Sequence, residues 1–176
     1  MSIHSLIVPT FTQMLEALAG FLDKAEAKAG PAAATDMLEA RLAPDMFPLA
    51  DQVRFTCIQA REAVARLQGQ DVPPLLPREA TMDGLRSQIA DTCAELRAVS
   101  AHDLDLYADR VIDVKLPNGI AFRMTGAQFV RDWALPQFYF HLVTAYAIMR
   151  QGGVDLGKPD YVRHMFAYLQ QEPAPA

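Results

Sequence analysis

Residues 137–153, Gln-Phe-Tyr-Phe-His-Leu-Val-Thr-Ala-Tyr-Ala-Ile-Met-Arg-Gln-Gly-Gly, set one histidine and one amide four positions apart in an otherwise apolar run. Residues at that spacing stand above one another on a helix, so Gln137 and His141 share a stripe with Thr144 or Ala145 and Ile148. A polar group on such a stripe must find a partner, and the partner is a structural neighbour, a metal or a ligand. An imidazole satisfied inside a core or pocket is the plainer reading of His141, and a ligand to metal or substrate is the other. The remaining histidines, His4, His102 and His164, fall at the start of the chain, in a loop after the third helix and in the tail, without H-x-x-H or H-E-x-x-H spacing.

A second group of candidates lies near residue 50. Asp45 and Gln52 are polar among Met46, Phe47, Leu49 and Val53. Asp45 reads as a helix cap. Gln52 reads as an exposed helix residue unless a bundle interior brings it to the last helix. Tyr139 and Tyr146, seven apart on one stripe, read as core or dimer-interface aromatics rather than cofactor contacts. Lys158, Asp160 and Tyr161 sit in a Gly-Pro loop whose plain role is to anchor the tail. Cys57 and Cys93 lack C-x-x-C spacing and read as reduced core thiols. No phosphate-binding, dinucleotide, nucleophile-elbow or paired-cysteine zinc pattern is present, so those chemistries have no support.

These residues must be positioned by helices. Apolar residues recur at three- and four-residue steps over residues 6–29, with Gly30-Pro31 as a stop. A short helical stretch over 35–42 gives way at Ala43-Pro-Asp-Met-Phe-Pro48. Helix two spans 48–68 and ends at Gly69. Residues 72–77, Val-Pro-Pro-Leu-Leu-Pro, form an extended connector, and Thr81 caps helix three. Residues 110–116 and 120–124 alternate around Asn118-Gly119 and predict a hairpin resting on the bundle. Helix four runs from Thr125 to about Gln151, bent near Pro136, followed by a short tail helix to about Leu169. The reading is a single all-α domain over 1–170, a four-helix bundle with one hairpin between helices three and four, and a disordered tail at 171–176.

Composition narrows the function classes. A formal charge of −5, with 16 scattered Lys and Arg, argues against a nucleic-acid surface. The opening residues lack a signal peptide's basic flank, and the longest uncharged run, 133–149, is shorter than a membrane span and contains Pro136, Gln137 and His141. The expected location is the cytoplasm, with no nucleic-acid or membrane partner.

Two blocks carry a resemblance: Ala-Arg-Leu-Ala-Pro-Asp-Met-Phe-Pro-Leu at 40–49 with Gln52-Val53, and Leu-Pro-Gln-Phe-Tyr-Phe-His-Leu-Val-Thr-Ala-Tyr-Ala-Ile-Met-Arg at 135–150 followed by Leu-Gly-Lys-Pro-Asp-Tyr at 156–161. With them the whole chain resembles a bacterial family of unknown function in the DinB/YfiT-like superfamily. The resemblance implies an up-up-down-down four-helix bundle, a pocket between helices two and four, and a homodimer. It also implies a metal position. Metal-binding members use one histidine on helix two and an H-x-x-x-H pair on helix four, and here those positions hold Gln52, Gln137 and His141. Amides are weak ligands for Zn or Ni beside imidazole.

The favoured expectation is therefore a small-molecule pocket whose candidates are Asp45, Gln52, Gln137, His141 and Tyr146, with no cofactor. A divergent metal-dependent hydrolase or thiol transferase, holding Zn or Ni through His141 with Asp45 recruited, is the alternative. A structural homodimer with a buried hydrogen-bond network is the third.

Overall fold

The computed structural model describes residues 2–170; the expected disordered tail at 171–176 lies outside the described residues. Helix α1 spans Ile3–Met37, opened by a capping box between Ser2 and Ser5. The expected stop at residues 30–31 is a kink rather than an end. Gly30 takes φ 73° and ψ 160°, a conformation costly for any side chain, and the helix resumes at once because Pro31 suits a first helical turn. The short helix expected over 35–42 is the tail of this resumed segment and stops at Met37.

Helix α2 spans Leu49–Gln68 and α3 spans Met82–Arg97, the latter capped by Thr81 through the backbone N–H of Gly84. Asp45 does not cap α2. Pro48 occupies the flanking position, and the first two amides of α2 donate instead to Ala40 and Leu38 carbonyls at 2.9 and 3.1 Å, so the turn out of α1 supplies the cap. At the other end Gly69 adopts φ 71°, a left-handed cap where an added Cβ would overlap the guanidinium of Arg110. We expect Gly69→Ala to cost about 1–2 kcal/mol in urea unfolding. A loss below a few tenths would mean that this cap is dispensable.

A short helix α4, Ala101–Asp105, stands where a loop was expected around His102. Strands β1 (Val111–Lys115) and β2 (Ala121–Thr125) pair antiparallel, Val111 opposite Thr125 and Lys115 opposite Ala121. Ile112 and Val114 point to the core, and Arg66 of α2 donates to the Asp113 carbonyl at 3.1 Å, which holds the hairpin on the bundle. The last bundle helix begins with α5, Gly126–Phe129, under a Thr125–Gln128 capping box. It passes through a π-helical turn, Val130–Ala134, and continues as α6, Leu135–Gln151. The widened turn falls just before Pro136, whose ring and missing N–H oppose regular pairing there. Helix α7, Lys158–Tyr161, and a 3₁₀ segment, Arg163–Tyr168, are the last elements among the described residues.

The fold is a four-helix bundle with a small hairpin, as expected, but the helix directions differ from the expected up-up-down-down order. Phe11 meets Phe138 and Phe21 meets Tyr146, so α1 and α6 run parallel. Glu16 pairs with Arg97 and Asp23 with Arg86, so α3 runs against α1. Arg61 pairs with Glu95, and Arg78, just ahead of α3, reaches Asp51 in the first turn of α2, so α2 and α3 run together. The order is up-down-down-up. Its cause is the connectors: the tight turn after α1 forces α2 back, while 11 extended residues, 70–80, span roughly 36 Å against roughly 30 Å for the 20-residue α2. That connector therefore returns the chain to the end where α2 began.

The core draws from α1 through α6, with Phe11, Phe21, Phe129 and Phe138 fully buried. The stretch Ile3–Gly30 is long and apolar enough to cross a membrane by length and composition, and 50% of that window is buried within this fold. Both cysteines are free and buried. Burial pushes the Cys57 thiol up to about 12, which suits a core residue rather than a nucleophile.

Candidate functional site

The first turn of α2 is held firmly. Asp51 accepts from Arg54 at 3.3 Å and from Arg78 at 3.2 Å, Arg78 continues to Glu39, and Arg54 donates to the Leu76 carbonyl at 2.6 Å. This cluster ties both connectors to the turn that carries Gln52. Sequence reasoning did not reach it, because three of its partners lie on irregular segments whose paths no periodicity reveals.

Gln52 is 1% exposed and faces α6. Its Nε2 donates to the Phe47 carbonyl at 3.1 Å, and its Oε1 lies 2.8 Å from Nδ1 of His141. These two bonds determine the state of the imidazole. A backbone carbonyl can only accept, so the amide NH2 faces Phe47 and the amide oxygen faces His141. Nδ1 is then the N–H that donates, and Nε2 carries the lone pair. Burial lowers His141 from its ordinary 6.5 to about 4, so the ring is neutral at pH 7.

Aromatic rings surround the imidazole. Phe55 lies 5.2 Å from it between centroids, Phe140 at 5.3 Å, and Phe47 packs edge-on against Phe55 at 4.9 Å. Phe47 and Phe140 are each 57% exposed, so the rings form an open apolar rim beside a buried amide. Thr56 and Thr144 turn their hydroxyls to carbonyls four residues back, at 2.8 and 2.6 Å, and add no free donor.

The five candidates therefore separate. Gln52 and His141 meet across the α2–α6 seam. Gln137 lies one turn before His141, half-buried, and its side chain makes no hydrogen bond among the described residues. Asp45 is exposed in the turn before α2. Tyr146 belongs to another cluster: its hydroxyl donates to the Leu156 carbonyl at 3.3 Å, and its ring meets Phe21 and Tyr161. Lys24 pairs with Asp160 at 2.7 Å, which anchors the segment after α6 to α1.

The model of the family described as a domain of unknown function, DUF1993, matches residues 3–162. The chain belongs to the DUF1993 family. A crystal structure of a DinB family member protein from Shewanella denitrificans is 36% identical, covers 99% of this chain and 95% of that chain, and superposes with a TM-score of 0.81. This DUF1993 member is therefore DinB-like in fold as well as in sequence. No curated protein matches it.

The donor set of this DUF1993 chain does not fit a three-histidine metal site. Both ends of the Gln52 amide are committed, Gln137 is a neutral amide, and one imidazole nitrogen is left. Among the described residues no group of three or more His, Cys, Asp or Glu is placed to hold a metal ion.

Proposed function

We propose that this DUF1993 protein binds a small organic molecule on the α2–α6 seam, anchored by Nε2 of His141. The observation that carries this reading is the relay from the Phe47 carbonyl through Gln52 to Nδ1, which leaves one oriented acceptor among aromatic rings. A site of this kind recognises a hydrogen-bond donor set on an apolar, flat body, because a neutral acceptor offers no charge to pair. The exposed rims of Phe47 and Phe140 supply the apolar contact.

The test is native mass spectrometry with elemental analysis on protein purified without chelator or metal-affinity tag. The wild type is expected to retain a molecule that His141→Ala loses. A stoichiometric transition metal lost in His141→Ala would overturn this reading in favour of a metal-dependent hydrolase or transferase. If His141→Ala costs about 1–3 kcal/mol of stability, as a broken buried bond does, while every retained molecule stays bound, the relay is structural. The same spectra report whether the chain is a homodimer.

A further inference from the structure

Two adjoining cavities, both open to solvent, flank the segment that follows α6, and His141 lines neither. The first, about 390 Å³, lies between α1 and this segment and is lined by Gly20, Lys24, Asp160 and Arg163 among others. The second, about 340 Å³, is lined by Val162, Met165 and Leu169, and it shares Pro159 and Phe166 with the first. Each volume falls in the range of small-molecule sites.

The first cavity holds one charged group without a direct ion pair among the described residues. Asp160 bonds Lys24 through Oδ1 at 2.7 Å and accepts the Gly157 N–H through Oδ2 at 2.8 Å. Asp23 is taken by Arg86 at 2.8 Å. Arg163 makes no hydrogen bond or ion pair among the described residues, although its charge helps Lys24 to hold the Asp160 carboxyl low, so its guanidinium donors remain open. A Cβ built at Gly20, in the middle of α1, would stand 2.8 Å from Arg163 Nη1, the far end of that flexible side chain. A glycine in a helix interior costs stability, and here it lets the guanidinium lie along the helix. The second cavity is chemically opposite. Met165, Phe166 and Leu169 leave large apolar side chains exposed around it.

We propose that this pair of cavities binds a medium-chain carboxylate, with its head on Arg163 and its aliphatic chain along Phe166, Met165 and Leu169. Arginine's planar fork suits a carboxylate bidentately, and an apolar wall beside it takes the chain from water. A short anion would leave the second cavity unused, and an alcohol would leave the arginine unpaired.

Octanoate, below its micelle-forming concentration, is the probe for the full chain by calorimetry and amide NMR. One saturable site is expected, with shifts centred on Gly20, Arg163 and Leu169, and affinity rising up to about fourfold per methylene from butanoate to octanoate. Octanol should bind about tenfold more weakly than octanoate. Arg163→Gln should bring octanoate down to octanol's affinity without changing octanol binding, and its melting curve should match the wild type because the residue is exposed. Equal affinities for octanoate and octanol in the wild type, shifts centred elsewhere, or binding to phosphatidylglycerol vesicles but not to free octanoate would overturn the assignment.

Discussion

Replacing Phe138 by alanine is expected to lower the unfolding free energy by about 3–5 kcal/mol, the largest effect of any single substitution considered for this protein. Phe138 is fully buried on α6, with its ring 4.4 Å from that of Phe11 on the parallel helix α1. Truncation removes the transfer free energy of the ring and also leaves a void. Relaxation into that void is limited, because α1 and α6 are each packed against other helices of the bundle. At about 2–4 °C per kcal/mol for a chain of this size, the melting temperature should fall by about 10 °C. A cycle with Phe11→Ala should show a coupling of about 0.5–1.5 kcal/mol. A loss under 1 kcal/mol in Phe138→Ala would mean that the α1–α6 contact does not anchor the core. Because Phe138 neighbours Gln137 and precedes His141 by less than one turn, the same variant should also loosen the relay.

The second large effect is a loss of stability on acidification that belongs to His141. The folded protein holds this imidazole neutral down to about 4, whereas the unfolded chain titrates near 6.5. Between those values the unfolded state binds the extra proton, so stability falls as pH falls. The contribution is complete above about 6.5, is lost between 6.5 and 4, and changes no further below 4. The full difference corresponds to roughly 3 kcal/mol, reduced to about 2 by the ring's residual contact with solvent. Urea unfolding at pH 7 and pH 4 should therefore show wild type losing about 2 kcal/mol more than His141→Asn. Asparagine keeps a donor near the position of Nδ1 but does not titrate. The comparison cancels the carboxylates, Asp160 among them, whose pairing lowers their own titration and which act at the acid end of the range. Equal losses in the two proteins would show that His141 charges freely in the fold.

The periodicity of residues 48–68 places α2 to within a residue, because a complete apolar stripe ends at a glycine, the residue that takes a left-handed cap most readily. The hairpin is equally legible, since alternation and an Asn-Gly pair specify both strands and their joint. Thr81 is recognisable as a cap from its type alone. Elsewhere local rules mislead. Gly30-Pro31 reads as an end, yet the same two residues make a kink that a helix survives when the resumed segment has a core to pack on, here through Ala34 and Leu38. Asp45 is the favoured capping type, but the cap is supplied by Leu38 and Ala40 carbonyls brought there by the turn. Helix order is not legible in the sequence, because direction depends on how far connectors reach and the apolar stripes are identical for either direction.

For the candidate site the division is sharper. By itself the sequence placed Gln137 and His141 four residues apart on one helix face and a further amide, Gln52, on another helix. Residue type and spacing are local properties, and they suffice for that. Only the tertiary structure decided that Gln52 and His141 bond directly, that the Phe47 carbonyl orients the amide between them, and that Nε2 is left with the lone pair. It also decided that Tyr146 and Asp45 stand apart, and that Arg163 lies against Gly20. The physical reason is that a hydrogen bond's direction and a ring's tautomer are set by atoms 5 and 89 residues away in the chain, which folding alone brings within reach.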